Sequence, residues 1–132
     1  MTEKADPLQA LVVNAREISR DTLAELLRGK VWLDPDAGTV HLVPEARTKL
    51  GAREAVLLAL LGRKALSLLT EGRVADAMPP KDLAEATALK GNTVRPLLMR
   101  LTEEGMIVRR GKGYAVHNAA LHLVAGAITR KE

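Results

Sequence analysis

The chain has 132 residues, 47% of them hydrophobic and 27% charged, which is enough for one domain with a buried core and too apolar for a disordered protein. The absence of cysteine excludes a disulfide scaffold, a thiolate zinc site and a cysteine nucleophile. With one tryptophan, one tyrosine, no phenylalanine and a net charge of +4, the core must consist of aliphatic residues and methionine, a composition that favours helices.

The sequence predicts neither a signal peptide nor a membrane span. Residues 1–13 lack the basic region and the long apolar region of a signal peptide. The most apolar stretch, Ala55 to Leu61, is too short to cross a bilayer and is followed by Gly62-Arg63-Lys64. We therefore expect a cytoplasmic protein without a membrane partner.

The N-terminal segment predicts one or two helices. Asp6-Pro7 is a favourable start, because aspartate caps a helix and proline suits its first position. A second start at Ser19 or Asp21 leads to a stop at Gly29. The sequence leaves open whether the two starts belong to one helix. The apolar residues at helical spacing are Leu8, Leu11, Val12, Ile18, Leu23, Leu26 and Leu27.

Between Lys30 and Val43 the spacing changes to that of a β-hairpin, with two short strands joined by Asp-Pro-Asp-Ala-Gly. Val31 and Leu33 are expected on one face and Trp32 on the other. We interpret Trp32 as a core or interface residue rather than a ligand platform. A hairpin this short needs another element to pack against.

The middle of the chain predicts a central helix. A turn or short helix is expected from Pro44 to Leu50, and a long helix from about Ala52 to Leu69, ended by Glu71-Gly72-Arg73. Because residues 55–61 are apolar nearly all round, this helix should be covered on several sides.

The C-terminal half predicts two closely linked helices, a second hairpin and a last helix. A helix from Lys81 to Thr87, with Leu83 and Ala84 facing inward, is followed by a tight turn at residues 88–91. The next helix starts at Asn92, runs to about Glu104 and stops at Gly105. The hairpin covers residues 106–117 with Gly111-Lys112-Gly113 at its tip. The last helix, from Asn118, carries the apolar stripe Leu121, Val124 and Ile128.

The helix from Asn92 is amphipathic. Val94, Leu97, Leu98 and Leu101 follow helical spacing and predict the packed stripe. Asparagine and arginine on the other face can pair with adenine and guanine edges in the major groove, and a threonine hydroxyl suits phosphate oxygens. That face carries Asn92, Thr93, Arg95, Pro96, Met99, Arg100 and Glu103.

The positive charge is concentrated in one window. Residues 90–112 contain six basic and two acidic residues, so this window carries the whole net charge of +4. Such a concentration predicts an anion-binding surface. The basic residues are Lys90, Arg95, Arg100, Arg109, Arg110 and Lys112.

The segment KDLAEATALKGNTVRPLLMRLTEEGMIVRRGKGYAV resembles the winged helix-turn-helix superfamily of bacterial and archaeal transcriptional regulators. DLAEAT is similar to the first helix of that motif, ALKGNTV to the turn into the recognition helix, RLTEEGMIVRR to the passage into the wing, and GKG to the wing tip. The resemblance implies a mainly α fold with two β-hairpins, in which residues 51–132 form the winged helix-turn-helix domain and residues 1–50 an N-terminal helix-and-hairpin extension of no recognised family.

The resemblance also implies double-stranded DNA binding, with residues 92–104 in the major groove and the wing at 106–117 on the backbone or minor groove. The same fold also serves as a protein-interaction module. The candidate DNA-binding residues are Lys90, Asn92, Thr93, Arg95, Met99, Arg100, Arg109, Arg110 and Lys112.

Several of these residues have a purely structural alternative. Arg100 could pair with Glu103 or Glu104, and Asn92 could serve only as an N-cap. The basic cluster could be an ordinary solvated surface. Tyr114 is expected to pack under the wing.

No pattern of catalytic or cofactor-binding residues is recognised. His41, His117 and His122 lack metal-ligand spacing, so we expect no metal site. The sequence contains no Ser-His-Asp order, phosphate-binding loop or dinucleotide fingerprint. We therefore expect no enzyme activity, no cofactor and, with no compact ligand pocket evident, no small-molecule effector.

The expected partners are duplex DNA and a second copy of the chain. Leu121 and Val124 of the last helix, together with the N-terminal helix, would form the dimer interface; alternatively, both helices cover the central helix within one chain. The second functional hypothesis is a winged-helix module that docks on a larger nucleic-acid machine through the N-terminal helix and hairpin. Structured RNA is a third, disfavoured by the shortage of aromatic residues.

Overall fold

A computed structural model describes residues 20–117 together with residues 123, 124 and 126. This part of the chain is mainly helical, with two two-stranded antiparallel sheets. The elements are α1 (Arg20–Leu27), β1 (Val31–Asp34), β2 (Thr39–Leu42), α2 (Pro44–Lys49), α3 (Ala52–Leu69), α4 (Pro80–Thr87), α5 (Gly91–Glu103), β3 (Ile107–Arg110) and β4 (Gly113–Val116). Helices α3, α4 and α5 followed by the β3–β4 hairpin confirm the predicted winged helix-turn-helix architecture.

Helix α3 is the centre of the fold. Every residue from Ala55 to Leu61 is buried, and the six from Val56 onward are completely inaccessible to solvent. The helix is covered by α1, by both hairpins, and by α4 and α5. The predicted central helix is therefore confirmed, with the predicted ends. Its apolar side chains point in all directions, so they are buried only when neighbouring elements cover every side.

Helix α1 confirms the predicted helix before Gly29; it is described only from Arg20 onward, so its start and the choice between one helix and two stay predictions. It buries Leu23, Leu26 and Leu27 in the same hydrophobic cluster as α3. The predicted start at Asp6-Pro7 lies outside the described residues.

The β1–β2 hairpin packs on α3 at a glycine. Val31 pairs with Leu42 and Leu33 pairs with Val40, and the side chains of this face lie over Gly62. A Cβ atom on Gly62 would lie 2.9 Å from Cγ1 of Val40 and 3.0 Å from Cγ1 of Val31. The strands therefore approach the helix as closely as they do because residue 62 has no side chain.

Trp32 corrects one part of the sequence interpretation. It lies on the outer face of β1, opposite His41, and is 60% exposed. The alternation of the strand turns Val31 and Leu33 toward α3 and therefore turns Trp32 away from it. A core position for Trp32 is wrong, and an interface position stays a prediction.

The C-terminal residues are described only in part. Val124 is fully buried within the core of this chain, whereas Leu123 is half exposed. Leu121 and Ile128 of the predicted stripe lie outside the described residues. Since Val124 is already covered within one chain, it is not free to form the predicted dimer contact. Among the described residues, no helix combines the length and apolarity needed to cross a membrane.

The close packing at Gly62 yields a stability prediction. Changing Gly62→Ala should lower the free energy of unfolding by about 1–3 kcal/mol, because β-branched valines cannot move aside without shifting the hairpin. Urea unfolding followed by circular dichroism measures the change. Gly91→Ala is the matched control: nothing lies within 4 Å of a Cβ there, so stability should change by less than about 0.5 kcal/mol. Equal effects of the two substitutions would contradict the packing argument.

Candidate nucleic-acid interface

Helix α5 turns one face into the core and the other to solvent. Val94, Leu98 and Leu101 are at most 1% exposed, and Leu97 is half-buried against the same cluster. The predicted packed stripe is therefore confirmed. The opposite face is exposed along its whole length, and Met99 on it is 63% exposed. The exposed residues are Asn92, Thr93, Arg95, Pro96, Met99, Arg100 and Glu103.

The start of α5 differs from the prediction by one residue. Lys90 has extended backbone angles (φ −76°, ψ 151°), and its carbonyl accepts a hydrogen bond from the N–H of Val94 at 3.0 Å. Lys90 is therefore the cap residue, and the interpretation of Asn92 as an N-cap is wrong. No side chain of the cap accepts the first helical N–H groups, so this end of the helix can bind an anion.

The turn between α4 and α5 is held by Thr87, which the sequence analysis did not single out. Its hydroxyl donates to the Leu83 carbonyl at 2.7 Å and accepts from the N–H of Leu89 at 3.3 Å. Ala88, between them, has a positive φ of 62°. Thr87 is buried, so its hydrogen bonds fix how α5 leaves α4. Threonine is common at helix ends, so the sequence alone does not predict that Thr87 holds this turn.

The β3–β4 hairpin forms a short wing beside α5. Ile107 pairs with Val116 and Arg110 with Gly113, which leaves Gly111 and Lys112 as a two-residue tip. Tyr114 is half-buried against the core, which confirms that it packs under the wing.

The chain segment before α4 packs against the wing at Met78. Met78 and Tyr114 exchange two backbone hydrogen bonds of 2.8 Å. A Cβ atom on Gly113 would lie 3.0–3.1 Å from backbone atoms of Met78, so Gly113 permits this approach. The chain segment before α4 thus fixes the wing to the helical core.

The nine candidate DNA-binding residues are all exposed. Lys90 caps α5, and Asn92 and Thr93 lie in its first turn. Arg95, Met99 and Arg100 follow along the exposed face. Arg109 and Arg110 end β3, and Lys112 lies in the tip. Since α5 packs against β3, the helix and the wing present these residues as neighbouring surfaces.

Neither acidic residue of the window forms an ion pair with Arg100. Glu104 instead receives two hydrogen bonds from the guanidinium of Arg53, one of them from Nη1 to Oε2 at 3.2 Å. These bonds hold the pKa of the Glu104 carboxyl below its usual value and raise the pKa of Arg53. Within the described residues Arg100 forms no ion pair with Glu103 or Glu104, although its charge also contributes to the lowered pKa of the Glu104 carboxyl.

Arg110 is the one wing cation with an acidic partner in the described part of the chain. Its Nη1 donates to both carboxylate oxygens of Asp76, at 2.8 and 3.0 Å. Asp76 also accepts from Nζ of Lys64 at 3.2 Å. The Arg110 side chain remains 49% exposed, and Nε and Nη2 are not used in this pair, so Asp76 orients the guanidinium without covering it.

Lys64 is the buried member of this group and was not identified from the sequence. Its side chain is 3% exposed, and burial lowers the pKa of its ammonium, although the charge of Asp76 opposes that shift. Lys64 follows an apolar run on α3, where a lysine is expected to point to solvent. Its partner Asp76 lies 12 positions away, so no local pattern reveals this pair.

An apolar groove lies on the N-terminal side of the molecule. It has a volume of about 370 Å³ and is lined by residues of α1, β1 and α3 and the segment joining α1 to β1. None of its lining residues belongs to α4, α5 or the wing. The groove is open to solvent, and the expectation of no small-molecule effector stays a prediction.

Comparison with known proteins adds no assignment: no protein-family model, curated protein or solved structure matches this chain. Within residues 20–117, 123, 124 and 126, no group of three or more histidine, aspartate or glutamate residues is placed to hold a metal ion.

The Asp76 group can be tested by stability measurements. Asp76→Asn should destabilise the fold by about 1–3 kcal/mol, because it removes the carboxylate that faces the buried Lys64 ammonium. Arg110→Ala is the matched control: it breaks only the half-exposed pair and should cost less than about 1 kcal/mol. Thermal unfolding measures both. A larger loss for Arg110→Ala than for Asp76→Asn would show that Lys64 does not depend on Asp76.

Proposed function

We propose that this chain is a sequence-preferring double-stranded DNA-binding protein that acts in the cytoplasm as a transcriptional regulator, without enzymatic activity or a cofactor. In the proposed complex, α5 lies in the major groove and the β3–β4 wing contacts the backbone or the minor groove. The observation that carries the proposal is the exposed face of α5, which joins base-reading side chains to unneutralised positive charge.

The order of residues along α5 supports this orientation. In helix-turn-helix proteins, the N-terminal residues of the recognition helix contact base edges. Asn92, Thr93 and Arg95 lie in the first turns of α5 and are exposed. Asparagine and arginine offer bidentate hydrogen bonds to adenine and guanine. The uncapped N–H groups at the start of the helix suit a phosphate.

The distribution of ion pairs supports an anionic partner. Lys90, Arg95, Arg100 and Lys112 have no acidic partner among the described residues. Glu104, the acidic residue at the end of α5, is bound by Arg53 from α3. The surface therefore keeps its positive charge, and a polyanion would gain both steering and counterion release from it.

We further propose that the protein acts as a homodimer, because one recognition helix reads only a few base pairs and a two-fold partner doubles the contact. The alternative function is a module that docks on a larger nucleic-acid machine. The observation that favours the alternative is that the N-terminal part of the chain exposes Trp32 on one face of β1 and lines an apolar groove with the other, and both features are suited to a protein contact.

Salt dependence tests the DNA proposal directly. If four to six cations meet phosphates, the logarithm of the affinity should fall with the logarithm of salt concentration at a slope of about −4 to −5. Fluorescence anisotropy with labelled random duplexes at several salt concentrations measures the slope. Lys49→Ala, which removes an exposed lysine of α2, should leave it unchanged. Absence of binding at low salt, or a slope near zero, would refute direct DNA binding and favour the docking module.

The division of roles between helix and wing is tested by two alanine variants. Arg95→Ala should weaken binding to a selected site by about 1–3 kcal/mol and relax the sequence preference, because a bidentate base contact is lost. Lys112→Ala should weaken binding to all duplexes about equally, because a tip lysine would contact phosphate. Affinities for the selected site and for random DNA separate the two effects. Equal losses on both DNAs for Arg95→Ala would remove it as a base reader.

A further inference from the structure

Two cations and one carboxylate meet where the wing joins the helical core. Nη1 of Arg110 and Nζ of Lys64 both donate hydrogen bonds to the carboxylate of Asp76. Lys64 is buried on α3, whereas the Arg110 side chain is 49% exposed at the end of β3. One carboxylate between two cations leaves a positive charge in excess, so the exposed member of the group can still attract an anion.

The backbone around Asp76 is fixed on both sides. Nε of Arg63 donates to the carbonyl of Ala75 at 2.6 Å. Two residues after Asp76, Met78 exchanges two backbone hydrogen bonds of 2.8 Å with Tyr114 of β4. The Asp76 side chain itself is only 20% exposed. The carboxylate therefore belongs to the packed base of the wing, and its position relative to β3 is set before any partner binds.

The guanidinium of Arg110 keeps one edge unused. Only Nη1 contacts Asp76, and Nε and Nη2 make no hydrogen bond within the described residues. Arginine binds phosphate bidentately through two neighbouring nitrogens of this kind. An exposed arginine loses conformational entropy when it binds a partner. The contact with Asp76 has already ordered Arg110, so part of that cost is met in the unbound protein.

The other two cations of the wing lack such support. Nε of Arg109 donates to the Gly111 carbonyl at 3.2 Å, which is a contact within the hairpin itself. Lys112, in the tip, has no acidic partner in the described part of the chain. Phosphate contacts fix the orientation of a protein on the duplex, and Arg110, whose side chain is held by the core, is the wing cation suited to that role.

We propose that Asp76 is a positioning residue for DNA binding, which holds Arg110 so that Nε and Nη2 bind a backbone phosphate. Lys64 offsets the negative charge of Asp76, so the carboxylate orders Arg110 without repelling the duplex. The inference rests on the proposed DNA-binding function and adds an acidic residue to it. The opposite role, in which Asp76 withholds Arg110 from DNA, is disfavoured because about half of the Arg110 side chain stays exposed.

The sign of one substitution tests the inference. Loss of a carboxylate near a DNA surface ordinarily raises affinity, because the net positive charge increases. Asp76→Asn should instead lower the affinity for random duplexes about two- to tenfold, because Arg110 is no longer held in place. Fluorescence anisotropy at low salt measures the affinity, and circular dichroism at the same temperature shows whether the variant is folded.

Glu103→Gln is the matched control for the loss of a carboxylate. Glu103 is exposed on α5 and has no ion pair among the described residues. Its substitution should raise the affinity for the same duplexes, because the negative charge that it removes holds no cation in place.

A double-mutant cycle separates positioning from a general effect on the wing. Arg110→Ala should weaken binding and reduce the steepness of the salt dependence by about one, because one phosphate contact is lost. Asp76→Asn should cause no further loss in the Arg110→Ala background. It should cause its full loss in the Arg109→Ala background, where Arg110 is still present. A distorted wing would weaken binding in both backgrounds.

Arg110→Lys is a second variant, which leaves the buried part of the group unchanged and decides the question if Asp76→Asn fails to fold. It keeps the positive charge, but an ammonium has no planar edge to bind phosphate while another nitrogen pairs with Asp76. Arg110→Lys should therefore lose about as much affinity as Arg110→Ala.

The outcomes are distinct from those of the DNA proposal. Three results would overturn the positioning role and leave DNA binding intact: unchanged or higher affinity of folded Asp76→Asn, a further loss from it in the Arg110→Ala background, or wild-type affinity of Arg110→Lys. Absence of binding by the wild-type chain at low salt would refute the DNA proposal, and the positioning role with it.

Discussion

The whole structure depends on one constraint, which is that the first half of α3 must be covered on every side. Seven consecutive residues from Ala55 to Leu61 are buried, and burial of a leucine or valine side chain contributes about 1.5–3 kcal/mol. No single neighbour can cover such a helix. The β1–β2 hairpin and α1 cover it from the N-terminal part of the chain, while α4, α5 and the wing cover it from the C-terminal part. The candidate DNA surface and the hairpin that exposes Trp32 are thus both built on one helix.

Features governed by local spacing could be predicted from the sequence. The ends of α3, the packed stripe of α5 and the two hairpins follow from apolar periodicity and from glycines between strands. The predictions were wrong where a local sequence rule allowed two interpretations. Asparagine is a better cap than lysine, yet the backbone makes Lys90 the cap, without a side-chain hydrogen bond. Trp32 is apolar, yet it faces outward, because the alternation of the strand turns its neighbours Val31 and Leu33 toward α3.

Features governed by contacts between distant residues could not be predicted. Arg53 and Glu104 are 51 positions apart, and Asp76 and Arg110 are 34 apart. These ion pairs change which charged side chains of the candidate interface are available to a partner, and the composition of the segment does not show this. One engages the carboxylate of Glu104 with Arg53, and the other orients a wing arginine. A count of charges in residues 90–112 cannot distinguish free side chains from paired ones, so it identifies the surface but not the residues that act there.

The β1–β2 hairpin and the candidate DNA surface are linked by the packing itself. The hairpin that carries Trp32 is fixed on α3 at Gly62, and α5 packs on the same helix. If the proposed homodimer contacts its partner through this hairpin, the separation of the two recognition helices is therefore set by a continuous packed body rather than by a linker. A two-fold dimer reads half-sites at a spacing fixed by its own geometry. Because the hairpin is attached rigidly to α3, dimerisation would limit the spacing of the DNA half-sites that both recognition helices can reach at once.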